Sequence, residues 1–235
     1  MHTLAENDHE FIIGSALPYS EFTPMLHHEY HELGEMIERI GSKQIRNNGT
    51  LGGNIGNASP IGDMPPALIA LGAEVSLQRG NVERKIALED FFVGYKKTVL
   101  KDAEFIKNIY IPKAKAGQIL KLYKISKRID DDISAVLAAF FLEIKDNVIT
   151  DVRIAFGGMA ATPMRAKQCE AALLNNTFNS DSVAAAQSAL AQDFQPMSDV
   201  RASDKYRMKV AQNLLQKCYL ELQNTTIETR VVNYA

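Results

Sequence analysis

The sequence is poor in the features that mark several protein classes. It has two cysteines, Cys169 and Cys218, each inside a helix-like run and far from the other; both read as reduced core thiols, and no zinc or iron–sulfur spacing exists. Neither charge is in excess: 26 Lys and Arg stand against 28 Asp and Glu, a net charge of −2, with no basic stripe interleaved with aromatics, which argues against nucleic acid as a partner. No apolar run approaches the roughly 18 residues that suggest a membrane span. The opening MHTLAENDHEFII carries neither the positive region nor the apolar core of an export signal, so a cytoplasmic location is expected. Internal repeats and low-complexity segments are missing as well.

What is present is a folded chain of 235 residues, 46% hydrophobic, enough for one large or two small domains. Glu10 to Gly14 reads as a buried strand, and Pro18 to Gly41 as helical, with Met36, Ile37 and Ile40 at helical spacing. AEVSLQ and VERKIAL flank a turn at Arg79-Gly80-Asn81. Phe105 to Ile111 and Ile119 to Ile125 alternate, and Ala135 to Lys145 turns at Asp146-Asn147 into Val148 to Phe156, closed by Gly157-Gly158. Ala166 to Leu174, Asp181 to Ala191 and Ser203 to Gln223 then carry helical periodicity. Strands in the middle and helices at the end predict an α+β fold, with a boundary near the polar PKAKAG between Pro112 and Gly117.

The unusual stretch is Thr50 to Pro66, TLGGNIGNASPIGDMPP, with four glycines, three prolines and few large apolar side chains. Bare backbone admits close approach of a ligand, and successive exposed amides form an anion-binding concavity suited to a diphosphate. Thr50 and Ser59 add hydroxyls, Asn54 adds an amide, and Asp63 is placed to cap a helix whose first turn holds Pro65 and Pro66. The lysine of the phosphate-binding P-loop is missing, and GGNIGN does not follow a strand as the dinucleotide fingerprint would. On the residues alone, a ligand loop and a wide structural loop needing positive φ angles stand about equal. Lys127 to Asp132 reads locally as a solvated turn of mixed charge. His27-His-Glu-Tyr-His31 fails the HExxH zinc pattern and reads as an exposed polar helix.

The run IRNNGTLGGNIGNASPIGDMPP, Ile45 to Pro66, resembles the flavin-binding segment of the molybdenum hydroxylase family. FFVGYKKTVL, YKISKRIDDDISAV, IAFGGMAATPMRA and RASDKYRMKVAQNLL follow in the same order as in that family. The resemblance extends from about residue 10 to 223. SKRIDDDIS and RASDKYR are most like the xanthine dehydrogenase branch, whereas TLGGNIGN and ASPIGD are shared with carbon monoxide and nicotinate dehydrogenase flavoproteins.

The resemblance implies the second subdomain of a two-subdomain FAD-binding domain over residues 10–112. A C-terminal α+β domain of the CO dehydrogenase flavoprotein type would follow over 118–223, with a tail at 224–235. It implies FAD contacts by Thr50, Gly52, Gly53, Asn54, Ser59, Asp63, Ile106 and Lys124, with the backbone near the diphosphate and Asp63 toward the adenosine end. The Lys127 to Asp132 loop, including Asp131, would lie near the flavin ring. In such enzymes electrons pass from a molybdenum cofactor through 2Fe-2S clusters to FAD and on to NAD, the first two carried on partner domains or subunits. The implied function is the FAD-binding part of a xanthine dehydrogenase-like hydroxylase, and no residue here serves as a catalytic nucleophile or metal ligand. The family's other flavin subdomain, with its GGTDL-type loop, has no counterpart in this sequence. The expectation is that FAD binds weakly unless that half is supplied in trans, the alternatives being a docking module without stable FAD or the flavoprotein of a related dehydrogenase.

Overall fold

A computed structural model describes residues 1–223 and 229; apart from Thr229, the tail expected at 224–235 lies outside the described residues. Two antiparallel strands, β1 (Leu4–Glu6) and β2 (Glu10–Gly14), lead into α1 (Tyr19–Glu29) and α2 (His31–Glu38). The single helix expected from Pro18 to Gly41 is therefore broken. Tyr30 sits at φ −128° and ψ 89°, and its hydroxyl donates to the Pro112 carbonyl at 2.9 Å, a tertiary bond that no helical periodicity signals.

Next come α3 (Lys43–Arg46), α4 (Leu51–Gly56) and α5 (Met64–Leu71). The glycine-rich stretch is thus not an open loop. Thr50 Oγ1 accepts from the Gly53 amide at 3.0 Å as an N-cap, and Leu51 and Ile55, four apart on one face, are fully buried. Cap and anchor together outweigh the low helix propensity of three glycines. α5 is buried on every side, begins with Pro65 and Pro66 in its first turn, and ends at Gly72, whose φ of +73° needs no Cβ.

The strands β3 (Glu74–Arg79), β4 (Val82–Ala87), β5 (Phe92–Gly94), β6 (Lys97–Thr98) and β7 (Phe105–Pro112) follow. The first sheet has the order β1-β2-β7-β3-β4, while β5 and β6 form a separate small hairpin. After Pro112 come β8 (Gln118–Ile125), β9 (Val136–Lys145), β10 (Val148–Gly157) and β11 (Met164–Arg165), an antiparallel sheet ordered β11-β10-β9-β8. The turn at Asp146-Asn147 has φ of 49° and 62°, the left-handed pair that closes a tight hairpin with the correct twist. α6 (Lys167–Leu173), α7 (Ser180–Asp193) and α8 (Asp204–Gln223) complete the fold.

Strand β9 explains the arrangement. Its residues alternate between two cores: Leu137, Ala139 and Phe141 join the core that holds α5, while Val136, Ala138, Phe140 and Leu142 face the core built on α6, α7 and α8. The second sheet is therefore covered on both faces, and α5 is wedged against β9 and β10.

The Gly157-Gly158 pair lets the two halves meet. Gly158 has φ +80°, and a Cβ there would lie 2.3 Å from the Ala135 carbonyl oxygen; its amide donates to the Pro60 carbonyl at 2.7 Å. Gly158→Ala is expected to cost about 2–5 kcal/mol, summing a left-handed alanine and a backbone clash. A urea denaturation midpoint unchanged from the wild type would contradict this contact.

Candidate functional site

The segment from Thr50 to Asp63 presents one face to solvent and one to the protein. Gly52 belongs inside: its amide donates to the Ser15 carbonyl at 3.0 Å, and a Cβ would lie 2.4 Å from Ser15 Cβ. Gly53 and Gly56 face outward and are exposed. A Cβ on Gly56 would meet only Ile106 Cδ1, at 3.7 Å. The outer face of α4 is thus bare backbone bordered by Ile106 of β7, which is 7% exposed.

The expected concavity of free amides is not what forms. The amides of Gly52, Gly53 and Asn54 donate to Ser15 O, Thr50 Oγ1 and Thr50 O, and the Asn57 amide to Gly53 O, because the segment is helical. What this stretch offers a ligand is a side-chain-free surface; beside it Asn54 Oδ1 is buried with no hydrogen-bond partner among the described residues. Ser59 Oγ accepts from the Ile61 amide at 3.3 Å and shapes the turn that follows α4.

Asp63 also departs from expectation. It occupies the position before α5, but its side chain makes no cap hydrogen bond. One carboxylate oxygen accepts from Lys124 Nζ at 2.5 Å and the other from Ser134 Oγ at 2.5 Å. Asp63, Lys124 and Ser134 are 8%, 6% and 1% exposed, so a buried ion pair with a second donor, Ser134, links α5 to β8 and to the segment that leads into β9. The tertiary donors have captured a side chain that local sequence assigns to a cap. Nearby, burial and then the Asp63 charge push the Tyr19 phenol well above its usual range, and the Tyr19 hydroxyl has no partner.

Lys124 also lines a cleft of about 780 Å³ between α2, α3, β8 and α8. Its lining includes Arg39, Lys43 and Arg46 and the loop bearing Asp130 and Asp131. Arg39 donates to the carbonyls of Ile129 and Lys124 at 3.0 and 3.2 Å and so fastens that loop to α2. Asp131 is exposed, at φ +50°. Glu221 of α8 also lines the cleft and accepts from Tyr123 at 2.8 Å. Burial works against its charge, but hydrogen bonds from Thr229 and Tyr123 and the charges of Lys121 and Lys217 hold its carboxyl below the usual range.

The structure therefore gathers Thr50, Gly53, Asn54 and Ile106 around α4, and Asp63 with Lys124 beneath the adjoining turn. Asp131 stands apart on the cleft rim. Sequence reasoning missed Ser134 and Arg39, whose partners are remote in sequence, and Tyr19, whose phenol is buried within reach of the Asp63 charge.

Residues 1–114 match the FAD binding domain in molybdopterin dehydrogenase, and residues 121–222 match the CO dehydrogenase flavoprotein C-terminal domain. The chain is 32% identical over 199 residues to the glyceraldehyde dehydrogenase medium chain of Sulfolobus acidocaldarius, covering 85% of this chain and 68% of that one. The chain belongs to the molybdenum hydroxylase flavoprotein family. Xanthine dehydrogenase of Drosophila subobscura is 28% identical over 252 residues, which cover 99% of this chain and 19% of that much longer family member. Among solved structures, carbon monoxide dehydrogenase from Hydrogenophaga pseudoflava superposes with a TM-score of 0.86 at 27% identity, over 92% of this chain and 75% of its own. The α+β fold, an FAD-binding family domain followed by the C-terminal flavoprotein domain, is that of the family.

Proposed function

We propose that this chain holds FAD against the bare face of α4 and beside the cleft, as the flavin-carrying part of a xanthine dehydrogenase-like molybdenum hydroxylase. The observation that carries the reading is the outward Gly53 and Gly56 pair next to the unpartnered Asn54 Oδ1, on a segment within the matched FAD-binding family domain. When bound, FAD would accept electrons delivered by 2Fe-2S clusters and pass them to NAD. The chain's own residues bind and orient: the glycines admit the cofactor to the main chain, Ile106 supplies an apolar border, and Asp63 with Lys124 fixes the turn beyond. Thr50, Ser59 and Asp131 complete the proposed contact set; Gly52, expected from the sequence to join it, packs against Ser15 on the inner side of α4 instead. The molybdenum cofactor and the clusters belong to partner domains or subunits. The xanthine dehydrogenase assignment is supported by relatives of that name and by the SKRIDDDIS and RASDKYR segments.

FAD titration, followed by flavin fluorescence, tests the reading with the chain alone and with the family's other flavin subdomain added. Gly56→Leu is the informative variant. A leucine Cβ there meets only Ile106 Cδ1, at an ordinary van der Waals distance, and leucine improves helix propensity, so stability should stay equal or rise by up to about 1 kcal/mol. FAD affinity should nonetheless fall at least about tenfold, the factor that corresponds to about 1.4 kcal/mol. Undiminished FAD binding by Gly56→Leu would remove the cofactor from this face. Absence of FAD binding under both conditions would favour a docking module.

A further inference from the structure

The turn from Pro60 to Asp63 is closed locally by Ser59, whose carbonyl accepts from the Gly62 amide at 3.1 Å and whose hydroxyl accepts from the Ile61 amide. It is held in place by the second half of the chain: Gly158 donates to the Pro60 carbonyl, a Cβ on Gly157 would lie 3.5 Å from Gly62 O, and Asp63 is gripped by Lys124 and Ser134. The turn in turn confines α4, since a Cβ on Gly62 would stand 3.3 Å from the unpartnered Asn54 Oδ1. Position thus passes from Asp63 through Gly62 to the proposed cofactor face.

The two donors on Asp63 are not equivalent. Lys124 brings a compact charge on a long stem, an attraction that leaves a carboxylate free to turn about it. Ser134 has one rotatable bond before its hydroxyl and lies on backbone fixed by the Ala135 amide, which donates to Ile125 O at 2.7 Å, and by Arg207, which donates to the Ala135 carbonyl. A second donor of fixed position on the other oxygen sets the carboxylate plane.

We propose that Ser134 is a positioning residue for the cofactor: its hydroxyl fixes the Asp63 carboxylate and the Pro60 to Asp63 turn, so FAD affinity in the first half of the chain depends on a hydroxyl of the second. The inference rests on the flavoprotein reading above. It concerns binding and does not require Ser134 to touch FAD.

The test is FAD titration of the full chain at 25 °C with Ser134→Ala and Ser134→Thr, paired with thermal unfolding of each without FAD. Losing a hydrogen bond to a charged group predicts FAD binding at least about tenfold weaker in Ser134→Ala, and Ser134→Thr should return to within about threefold of wild type. Rescue by threonine separates positioning from simple packing, because threonine adds volume to a site where only the hydroxyl is needed. If the alanine variant does not fold, hydrogen exchange on the wild type decides: FAD should slow exchange of the Ala135 amide, and unchanged exchange would overturn the proposal. Ser134→Ala binding FAD within twofold of wild type, or failure of threonine to restore affinity, would overturn it too. A wild-type chain that binds no FAD either alone or with the family's other flavin subdomain added, the condition under which the variants are also compared, overturns the flavoprotein reading itself, and this inference with it.

Discussion

Lys124→Met is expected to destabilise the chain by about 3–5 kcal/mol, because it leaves the Asp63 carboxylate buried with Ser134 as its one remaining hydrogen-bond donor among the described residues. For a protein of this size that corresponds to a fall in Tm of about 6–20 °C. The Lys124 ammonium side chain is 2% exposed and that of Asp63 10%, so water cannot take the place of the missing partner. The double variant Asp63→Asn with Lys124→Met should recover part of the loss, since an uncharged amide is cheaper to bury than an orphaned carboxylate. Thermal and urea unfolding of the wild type, the single and the double variants make the check. A single-variant cost below about 1 kcal/mol would mean that the pair is solvated, the magnitude of a surface ion pair.

Arg207→Met should be comparably severe, at about 3–5 kcal/mol, for a different reason. The guanidinium is 2% exposed and donates to three acceptors: the Ala135 carbonyl, the Gly158 carbonyl at 3.0 Å and Asp199 Oδ1 at 2.7 Å. Methionine fills the volume but abandons two carbonyls beneath α8, each worth about 1–3 kcal/mol when left unsatisfied. Arg207→Lys should rescue little, because one ammonium cannot reproduce a planar fork that reaches three acceptors in fixed directions. Urea denaturation of both variants tests this; a lysine variant as stable as wild type would show that charge, not fork geometry, is what the site requires.

These two side chains also show what could be read from the sequence. The hairpin at Asp146-Asn147, the strand pair around Arg79-Gly80-Asn81 and the terminal helices were legible because their signals are local: alternation, turn residues and helical spacing. α4 was not, because three glycines and an asparagine mask a helix that depends on the Thr50 cap and on burial of Leu51 and Ile55. Asp63 looked like a cap because its competitors for the carboxylate stand 61 and 71 residues further on. Ser134 carried no sequence signal. Arg207 did carry one: it heads the buried stripe of Ala211, Leu214, Leu215 and Cys218 on α8, where an arginine requires partners. The family was legible in the motifs that include this segment, whereas the segment's helical form and the consumption of its amides depend on tertiary contacts.

The wedged position of α5 has a consequence for synthesis on the ribosome. This helix is apolar on all sides, and part of its cover is β9 and β10, the latter ending at Gly157, 86 residues beyond Leu71. At a translation rate of about 5–20 residues per second, α5 waits about 4–17 s for that cover to be made. Through that interval the nascent chain displays an uncapped greasy rod. Chaperone occupancy should therefore peak on chains stalled between these two points and collapse once β10 has left the exit tunnel.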